Sequence, residues 1–257
     1  MTTLLTSKHR DLLYAWTSRI VRARYQQSLL GGLWAVFQPA ATVAILTLVF
    51  SYVVKIDTGD IPYVVFSYSA MVPWILFSSS ITDMVESITS NMNLVAKIYF
   101  PREILVLAAL LARVLDFLIA MILLVILMLI YKIPISLTWF FLPLVLLVQF
   151  SLMLGIGLAS AAINVFFRDV KHLITLGLQL WFYATPIIYP IDLVPSALRP
   201  ILALNPMTGV ITGYRSLLIY GKPPGTELIF SAFASILVLA IGYWFFKRVE
   251  PKFADII

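Results

Sequence analysis

The sequence predicts an all-α integral membrane protein: six transmembrane helices, an N-terminal amphipathic interface helix, a short inner helix and outer re-entrant helices. Three observations lead to this prediction. Hydrophobic residues make up 61% of the 257 residues and charged residues only 12%, which leaves more apolar surface than a water-soluble fold can bury. Apolar stretches of about 20 residues, the length that a helix needs to cross a bilayer, recur along the chain. Lys and Arg gather in alternate gaps between them, as expected of a multi-pass protein.

Six stretches are long and apolar enough to be spans. Each is expected to be a helix, because the bilayer interior offers no water to unpaired backbone groups. The fifth span is the shortest, and Pro186 within it is expected to kink it. The chain forms one transmembrane domain over residues 1–257. The predicted spans cover residues 33–54, 63–88, 104–131, 139–167, 173–191 and 228–246.

The distribution of basic residues predicts which side each gap faces. Lys and Arg number twelve before the first span, in the gaps after spans two and four, and after span six, whereas the other gaps hold five. Because basic residues favour the cytoplasmic side, we expect a protein of the cytoplasmic (inner) membrane with both termini in the cytoplasm. The net charge of +6 then reflects contact with anionic membrane lipid, and no nucleic-acid partner is expected.

Residues 8–32, which precede the first span, have a basic amphipathic pattern. Apolar side chains recur at the spacing of one helical face, and most Arg side chains fall outside that face. We predict an interface helix that lies on the inner leaflet and anchors the chain to the membrane. A helix that seals the inner end of a pore is the second interpretation.

Two further segments are apolar but too short to span. Residues 91–100 are predicted to form a short helix, which either rests on the membrane or docks into a cytoplasmic partner. Residues 193–222 contain two apolar pieces, interpreted as outer re-entrant helices or as helices lying on the outer leaflet. Asn205 can cap the second piece, and Pro206 suits its first position. Arg215 within this piece requires water or a partner.

Charged side chains near and within the spans occur in closely spaced pairs. Arg113 and Asp116 lie three apart in the third span, so they share a helix face and can pair. We favour a structural pair facing the bundle interior over a role in substrate passage. Asp83 and Glu86 have the same spacing near the inner end of the second span. An interfacial hydrogen-bonding pair is the simpler interpretation here, and acid–base chemistry is the alternative.

Small residues recur at intervals of four in the fourth span. Gly155 and Ala159 form one such pair, and Gly157 and Ala161 form another. This spacing permits two helices to approach closely. It is compatible with packing inside the chain and equally with a homodimer interface.

The fifth span carries polar and aromatic side chains in place of a purely aliphatic sequence. Aromatic faces stack on sugar rings, while amides and hydroxyls bond to sugar hydroxyls. Together these side chains suggest a semi-polar pore lining, although ordinary aromatic packing accounts for any one of them alone. They are Gln179, Trp181, Tyr183 and Thr185.

The sequence carries no signature of catalysis or nucleotide binding. It has no Cys and only two His, His9 and His172, so no metal site is expected. It lacks the phosphate-binding loop G-x-x-x-x-G-K-[ST] and the common metalloprotease and hydrolase motifs. If transport is active, its energy comes from an ion gradient or from a partner. Because Asp116 is the only carboxylate well inside a span, a partner is favoured over a proton relay.

Several short segments stand in a characteristic order along the chain. They are RARYQQSLLGGLW at 22–34, NLVAKIYFPRE at 93–103, FRDV at 167–170, PIIY at 186–189, Asn205-Pro206, Tyr214-Arg215 and EPKFAD at 250–255. In this order and topology they resemble the transmembrane subunit of type-2 ABC exporters. The specific branch exports lipid-linked O-antigen, capsular polysaccharide or teichoic acid. The resemblance covers nearly the whole chain, with Gln26 where the family often has Lys.

This resemblance implies a transport subunit that is not an enzyme and binds no cofactor of its own. It implies two copies of the chain and two copies of a cytoplasmic ABC ATPase, which would carry ATP and Mg. A coupling helix at 91–100 would dock on that ATPase, and its residues would be Asn91, Leu94, Val95, Lys97, Ile98, Tyr99 and Phe100. A substrate channel would form between the copies, lined by Phe37, Gln38, Gln179, Trp181, Tyr183 and Thr185.

The leading hypothesis is a permease subunit that passes a lipid-linked polysaccharide outward between two protomers. The same architecture could export a drug or a lipid, and the surface glycans of a deletion strain separate these two cases. An integral membrane enzyme acting on a lipid-linked substrate is a third hypothesis, which activity of the purified chain without an ATPase would support. Its only candidate residues are Asp83, Glu86, Arg113 and Asp116. A passive channel is the fourth.

Overall fold

The computed structural model describes residues 7–26, 28–98 and 100–255, and these ranges contain helices and no strand. The all-α membrane fold is therefore confirmed. The α-helices are α1 (Ser7–Tyr25), α2 (Trp34–Thr47), α3 (Tyr63–Glu86), α4 (Met92–Lys97), α5 (Glu103–Ile130), α6 (Leu142–Phe166), α7 (Val170–Tyr183), α8 (Arg199–Ala203), α9 (Pro206–Leu218) and α10 (Glu227–Val249).

Five helical stretches within the described ranges are long and apolar enough to cross a membrane. With their flanking turns they are Gly31–Val53, Tyr63–Glu86, Glu103–Ile130, Leu137–Phe166 and Glu227–Phe253. They lie within or close to the predicted first, second, third, fourth and sixth spans. The first consists of α2 with a 3-10 turn before it and a π-helical turn after it.

The region predicted as the fifth span, 173–191, is a short helix followed by irregular chain. Its helix, α7, has 14 residues and a length of about 21 Å, against a hydrocarbon core of about 30 Å. It ends at Tyr183, shortly before Pro186, because proline disfavours a helix in the residues that precede it. The chain nevertheless continues to the far end of the bundle, where the Tyr63 hydroxyl donates to the carbonyl of Ile188 over 2.7 Å.

Helix α3 lies at the centre of the bundle. It packs against α2, α5, α6, α7 and α9, and most of its side chains are buried. A helix that is apolar on nearly all faces is stable only when other helices surround it or lipid does. In this chain the neighbouring helices surround it, which leaves α2, α5 and α10 on the outside of the bundle.

Helices α6 and α10 are in direct backbone contact. A Cβ atom added to Gly155 would lie 2.6 Å from the backbone nitrogen of Leu239, and one added to Gly242 would meet the Gly155 carbonyl. Gly157 lies against the side chain of Met84 of α3. The small residues of the fourth span therefore serve packing inside the chain.

Helix α9 is packed into the bundle. The Asn205 side chain accepts from the backbone N–H of Met207 over 3.0 Å, and Pro206 occupies the first helical position. The Tyr214 hydroxyl donates to Gln149 of α6 over 2.8 Å, at a fully buried position. Helix α9 packs against α3, α6 and α10 and therefore lies inside the helical bundle, whereas α8 is a short, largely exposed helix.

The ends of α3, α6 and α10 meet the starts of α5 and α7 at one end of the bundle. Glu86 of α3 lies 3.2 Å from Lys171 of α7, and Lys247 of α10 lies 2.6 Å from Glu103 of α5. Helix α1 packs against α5 with Trp16 buried. We call this the basic end, because α1, α4, the α6–α7 connection, the start of α7 and the end of α10 all carry Lys or Arg residues there. Helix α9 lies towards the opposite end.

Candidate functional site

A groove runs along the open side of the bundle, between α2, α3 and α7. Its volume is about 620 Å³. Hydroxyl, amide and aromatic side chains predominate in its lining, and the Arg113 guanidinium is the one charged group among the residues that line it. The lining residues are Gln38, Trp74, Ser78, Ser79, Thr82, Arg113, Thr175, Leu178, Gln179, Phe182 and Tyr183.

The threonine hydroxyl groups of this lining are compatible with an apolar setting because their own helices satisfy them. Thr82 donates to the carbonyl of Ser78 over 2.9 Å, and Thr175 donates to the carbonyl of Lys171 over 2.8 Å. Each hydroxyl oxygen keeps lone pairs that can accept a hydrogen bond from a ligand. The groove therefore presents polar acceptors without requiring that a ligand be present.

The structure divides the predicted channel residues into two groups. Gln38, Gln179 and Tyr183 line the groove, and the Tyr183 side chain is 67% exposed. Phe37 is also exposed but lies outside the groove lining. Sequence reasoning missed Ser78, Ser79 and Thr82, although hydroxyl residues three and four apart in a span were a signal for a polar helix face.

Trp181 and Thr185 lie behind the groove wall. The indole N–H of Trp181 donates to Asn205 Oδ1 over 2.7 Å, and Asn205 Nδ2 donates to the Thr185 hydroxyl over 2.9 Å. The ring of Trp181 also stands edge-on to Phe77 of α3. These side chains fasten the end of α7 to the start of α9, so the capping residue Asn205 holds two helices at once.

Arg215 is buried in α9 and bonds to backbone carbonyls. Its Nη1 donates to Pro186 O over 2.6 Å and its Nη2 to Ile187 O over 2.5 Å. The guanidinium also lies 3.6 Å from the ring centroid of Phe66. The irregular chain after α7 is therefore the partner that the buried charge of Arg215 was expected to need. Its carbonyls are free to accept because the chain there is not helical.

Four charged side chains from three helices form a closed cluster at the basic end of the groove. Arg24 of α1 lies 2.7 Å from both Asp83 and Asp116. Arg113 lies 2.7 Å from Asp83 and 3.2 Å from Asp116. The Tyr25 hydroxyl donates to Asp116 as well. Asp83 therefore joins this cluster, and Glu86 pairs with Lys171 instead.

The cluster is electrically neutral, which is the condition for placing four charges at this depth. Each carboxylate meets both guanidiniums, so no member is left as a lone charge in a medium of low dielectric constant. Burial and the bond to Asp116 raise the pKa of Tyr25 to about 12, so the phenol stays protonated and remains a donor. The cluster joins α1 to α3 and α5.

A cavity of about 210 Å³ lies beside this cluster, lined in part by Arg24, Tyr25 and Trp34. It shares Gln38, Ser79 and Arg113 with the groove. The two spaces are therefore neighbours, and the charge cluster stands where the groove approaches the basic end. The charge cluster contains only two carboxylates, and no group of side chains that could hold a metal ion occurs in the described part of the chain.

The predicted coupling residues surround α4 at the basic end. Val95 and Phe100 are buried, Leu94 is partly buried, and Lys97 and Ile98 are exposed. Asn91 occupies the position before α4, but its side chain donates back to Ser87 O over 2.8 Å and does not cap the helix. Tyr99 lies outside the described residues. Helix α4 thus has an apolar side fixed to the bundle and an exposed side.

Long apolar helices arranged around a polar groove define a multi-pass membrane transport protein. The chain belongs to the ABC-2 type transporter family, whose model matches residues 11–219.

The chain is similar to known export proteins over almost its full length. The chain is 30% identical over 248 residues to the O-antigen export system permease protein RfbA of Klebsiella pneumoniae, covering 96% of this chain and 95% of that protein. It is 31% identical over 254 residues to RfbA of Myxococcus xanthus, with 96% of each covered. It is 27% identical to the polysialic acid transport protein KpsM of Escherichia coli, covering 90% of this chain and 91% of that protein.

Proposed function

We propose that this chain is the permease subunit of an ATP-driven exporter that carries a lipid-linked polysaccharide across the inner membrane. The observation that supports this most strongly is the groove between α2, α3 and α7. Its amide, hydroxyl and aromatic side chains are the groups that recognise sugars. The relatives named for O-antigen export and polysialic acid transport support the same class of substrate.

The groove is one half of a channel that two copies of the chain complete. Helices α2 and α7 border it, and both carry exposed apolar side chains, such as Ile45 on α2 and Leu176 and Leu180 on α7. A second copy apposed on this side would cover those side chains and set two polar grooves face to face. The polymer would then pass through a hydrated path closed off from lipid.

Energy for export comes from two copies of a separate ABC ATPase, which bind ATP and Mg. The sequence has no phosphate-binding loop of its own, and α4 offers a docking element in which Lys97, its last residue, and Ile98, which follows it, are exposed. The basic end would face the cytoplasm, with both ends of the chain on that side, because basic residues favour that side of the membrane.

A deletion strain tests the substrate. We expect loss of a surface polysaccharide, accumulation of its lipid-linked form inside the cell, and restoration by the wild-type gene. The variants Gln179→Ala and Tyr183→Ala should restore export poorly, whereas Ile236→Ala, at an exposed position of α10 away from the groove, should restore it. Unchanged surface glycans together with altered drug resistance or membrane lipid would contradict the proposal.

A further inference from the structure

The chain beyond α10 folds back onto the region that contains α4. Residues Glu250–Asp255, which we call the 250–255 segment, form a 3-10 turn that contacts α4. Phe253 is fully buried, with ring centroids 5.7 Å from Phe246 of α10 and 6.1 Å from Phe166 of α6. The segment is therefore fixed to the bundle by its own apolar anchor.

Glu250 connects this segment to the chain that leaves α4. One carboxylate oxygen accepts from the backbone N–H of Arg102 over 3.2 Å, and the Glu250 carbonyl accepts from Arg102 Nη1 over 2.6 Å. Arg102 is the residue immediately before α5. Its backbone and its side chain are thus held by the same residue, which fixes the point where the coupling segment re-enters the bundle.

Lys247 completes the arrangement from α10. Its ammonium lies 2.6 Å from Glu103 and 2.9 Å from the second carboxylate oxygen of Glu250. Glu103 is nearly fully buried at the first position of α5, where a negative charge is favoured by the helix dipole. Charge-assisted bonds of this kind are shorter and stronger than neutral ones.

We infer that the 250–255 segment is a clasp that positions α4 for the partner ATPase, with Glu250 as the positioning residue. The inference rests on the proposed function, since α4 is a docking element only if an ATPase binds there. The ATPase would push on the exposed side of α4, and the clasp would hold the opposite side of α4 in place. Force on α4 is then passed to the start of α5 and the ends of α6 and α10, because the clasp contacts all three.

Hydrogen exchange of the purified full-length chain in lipid nanodiscs tests the clasp without any ATPase. In Glu250→Ala we expect the backbone amides of α4 to exchange about tenfold faster, the factor that corresponds to about 1.4 kcal/mol. Amides of α9, buried at the opposite end, should be unchanged and report that the fold is intact. Lys252→Ala is the matched control, because Lys252 is exposed in the same segment, and it should exchange like the wild type.

Glu250→Gln keeps an acceptor for Arg102 but removes the charge that Lys247 meets, so α4 exchange should rise by less than in Glu250→Ala. It also provides the test if Glu250→Ala does not fold. Unchanged α4 exchange in a folded Glu250 variant would overturn the clasp and leave the proposed function standing.

Reconstitution with the ATPase gives the second readout. Both Glu250 variants should export less polysaccharide per ATP hydrolysed than Lys252→Ala, at equal protein level. Faster α4 exchange with undiminished export and undiminished ATPase co-purification would overturn the positioning role and also the docking function assigned to α4.

Discussion

At the scale of single residues, this protein places charges at depth by pairing them with each other or with backbone carbonyls. The cluster of Arg24, Asp83, Arg113 and Asp116 is neutral, and its side chains are only 14–27% exposed. The Arg113–Asp116 contact follows from helical spacing, so the sequence predicts it. The contacts of Arg24 join positions 59 and 92 residues apart, and no local pattern encodes such distances.

Asp116→Asn tests whether the cluster stabilises the fold. The change leaves two guanidiniums to share one carboxylate, so we expect a loss of about 1–3 kcal/mol in the free energy of unfolding. Glu86→Gln is the matched control, because Glu86 and Lys171 form a single pair in which both side chains are about half exposed, and it should cost less than about 1 kcal/mol. Denaturant unfolding of the purified chain in detergent measures both, and equal losses would contradict a special role for the cluster.

At the scale of helices, local sequence signals identify most elements and leave their ends and partners open. Pro186 predicts a kink within a fifth span that reaches residue 191, whereas the helix ends three residues before the proline, at Tyr183. The small residues of α6 signal close packing, but periodicity has no information about the partner helix. The structure shows that the partners are α10 for Gly155 and α3 for Gly157.

Gly155→Ala should weaken the α6–α10 contact. The added methyl group would lie 2.6 Å from backbone atoms of α10, which cannot move as a flexible side chain can, so we expect a loss of about 1–3 kcal/mol. Gly177→Ala is the matched control, since no atom lies within 4 Å of its added Cβ, and alanine favours a helix. Thermal unfolding in detergent should show a lower midpoint for the first variant only. A lower midpoint for Gly177→Ala alone would contradict the assignment.

Helix α4 shows the same limit of sequence reasoning. Its shortness and apolar character are visible in the sequence, whereas the division into a buried and an exposed side depends on contacts with distant parts of the chain. Val95 faces the bundle and Ile98 does not. The exposed side is therefore where variants can affect a partner without disturbing the fold.

Ile98→Ser tests docking at α4. Ile98 is 56% exposed and Ile135, at the opposite end of the bundle, is 52% exposed, so Ile135→Ser is a control of equal chemistry and exposure. We expect the ATPase to bind Ile98→Ser about tenfold more weakly. This factor corresponds to a loss of about 1.4 kcal/mol in binding free energy, as expected when one apolar side chain is removed from an interface. Affinity purification of the complex from membranes measures it. Equal retention of the ATPase by both variants would contradict docking through this face.

At the scale of the whole molecule, the helices leave one side of the bundle open, and that side is where the polar lining lies. Composition and hydropathy were sufficient to predict a multi-pass helical protein. The groove is a product of assembly, since α2, α3 and α7 each contribute to it and Trp181 and Thr185 point away from it into a contact with Asn205. Residue type alone cannot separate a lining side chain from one that holds the wall.

The central claim is that the groove is half of a hydrated polysaccharide channel, and labelling of introduced cysteines tests it most directly. The chain has no Cys, so Gln179→Cys in the groove and Leu180→Cys on the neighbouring apolar side each provide a single thiol. With a charged, membrane-impermeant maleimide, we predict rapid labelling of Gln179→Cys, loss of export on labelling, and protection while polymer is being exported. Leu180→Cys should label slowly and keep its export activity. Equal labelling of both positions, or full export after Gln179→Cys is labelled, would contradict the claim.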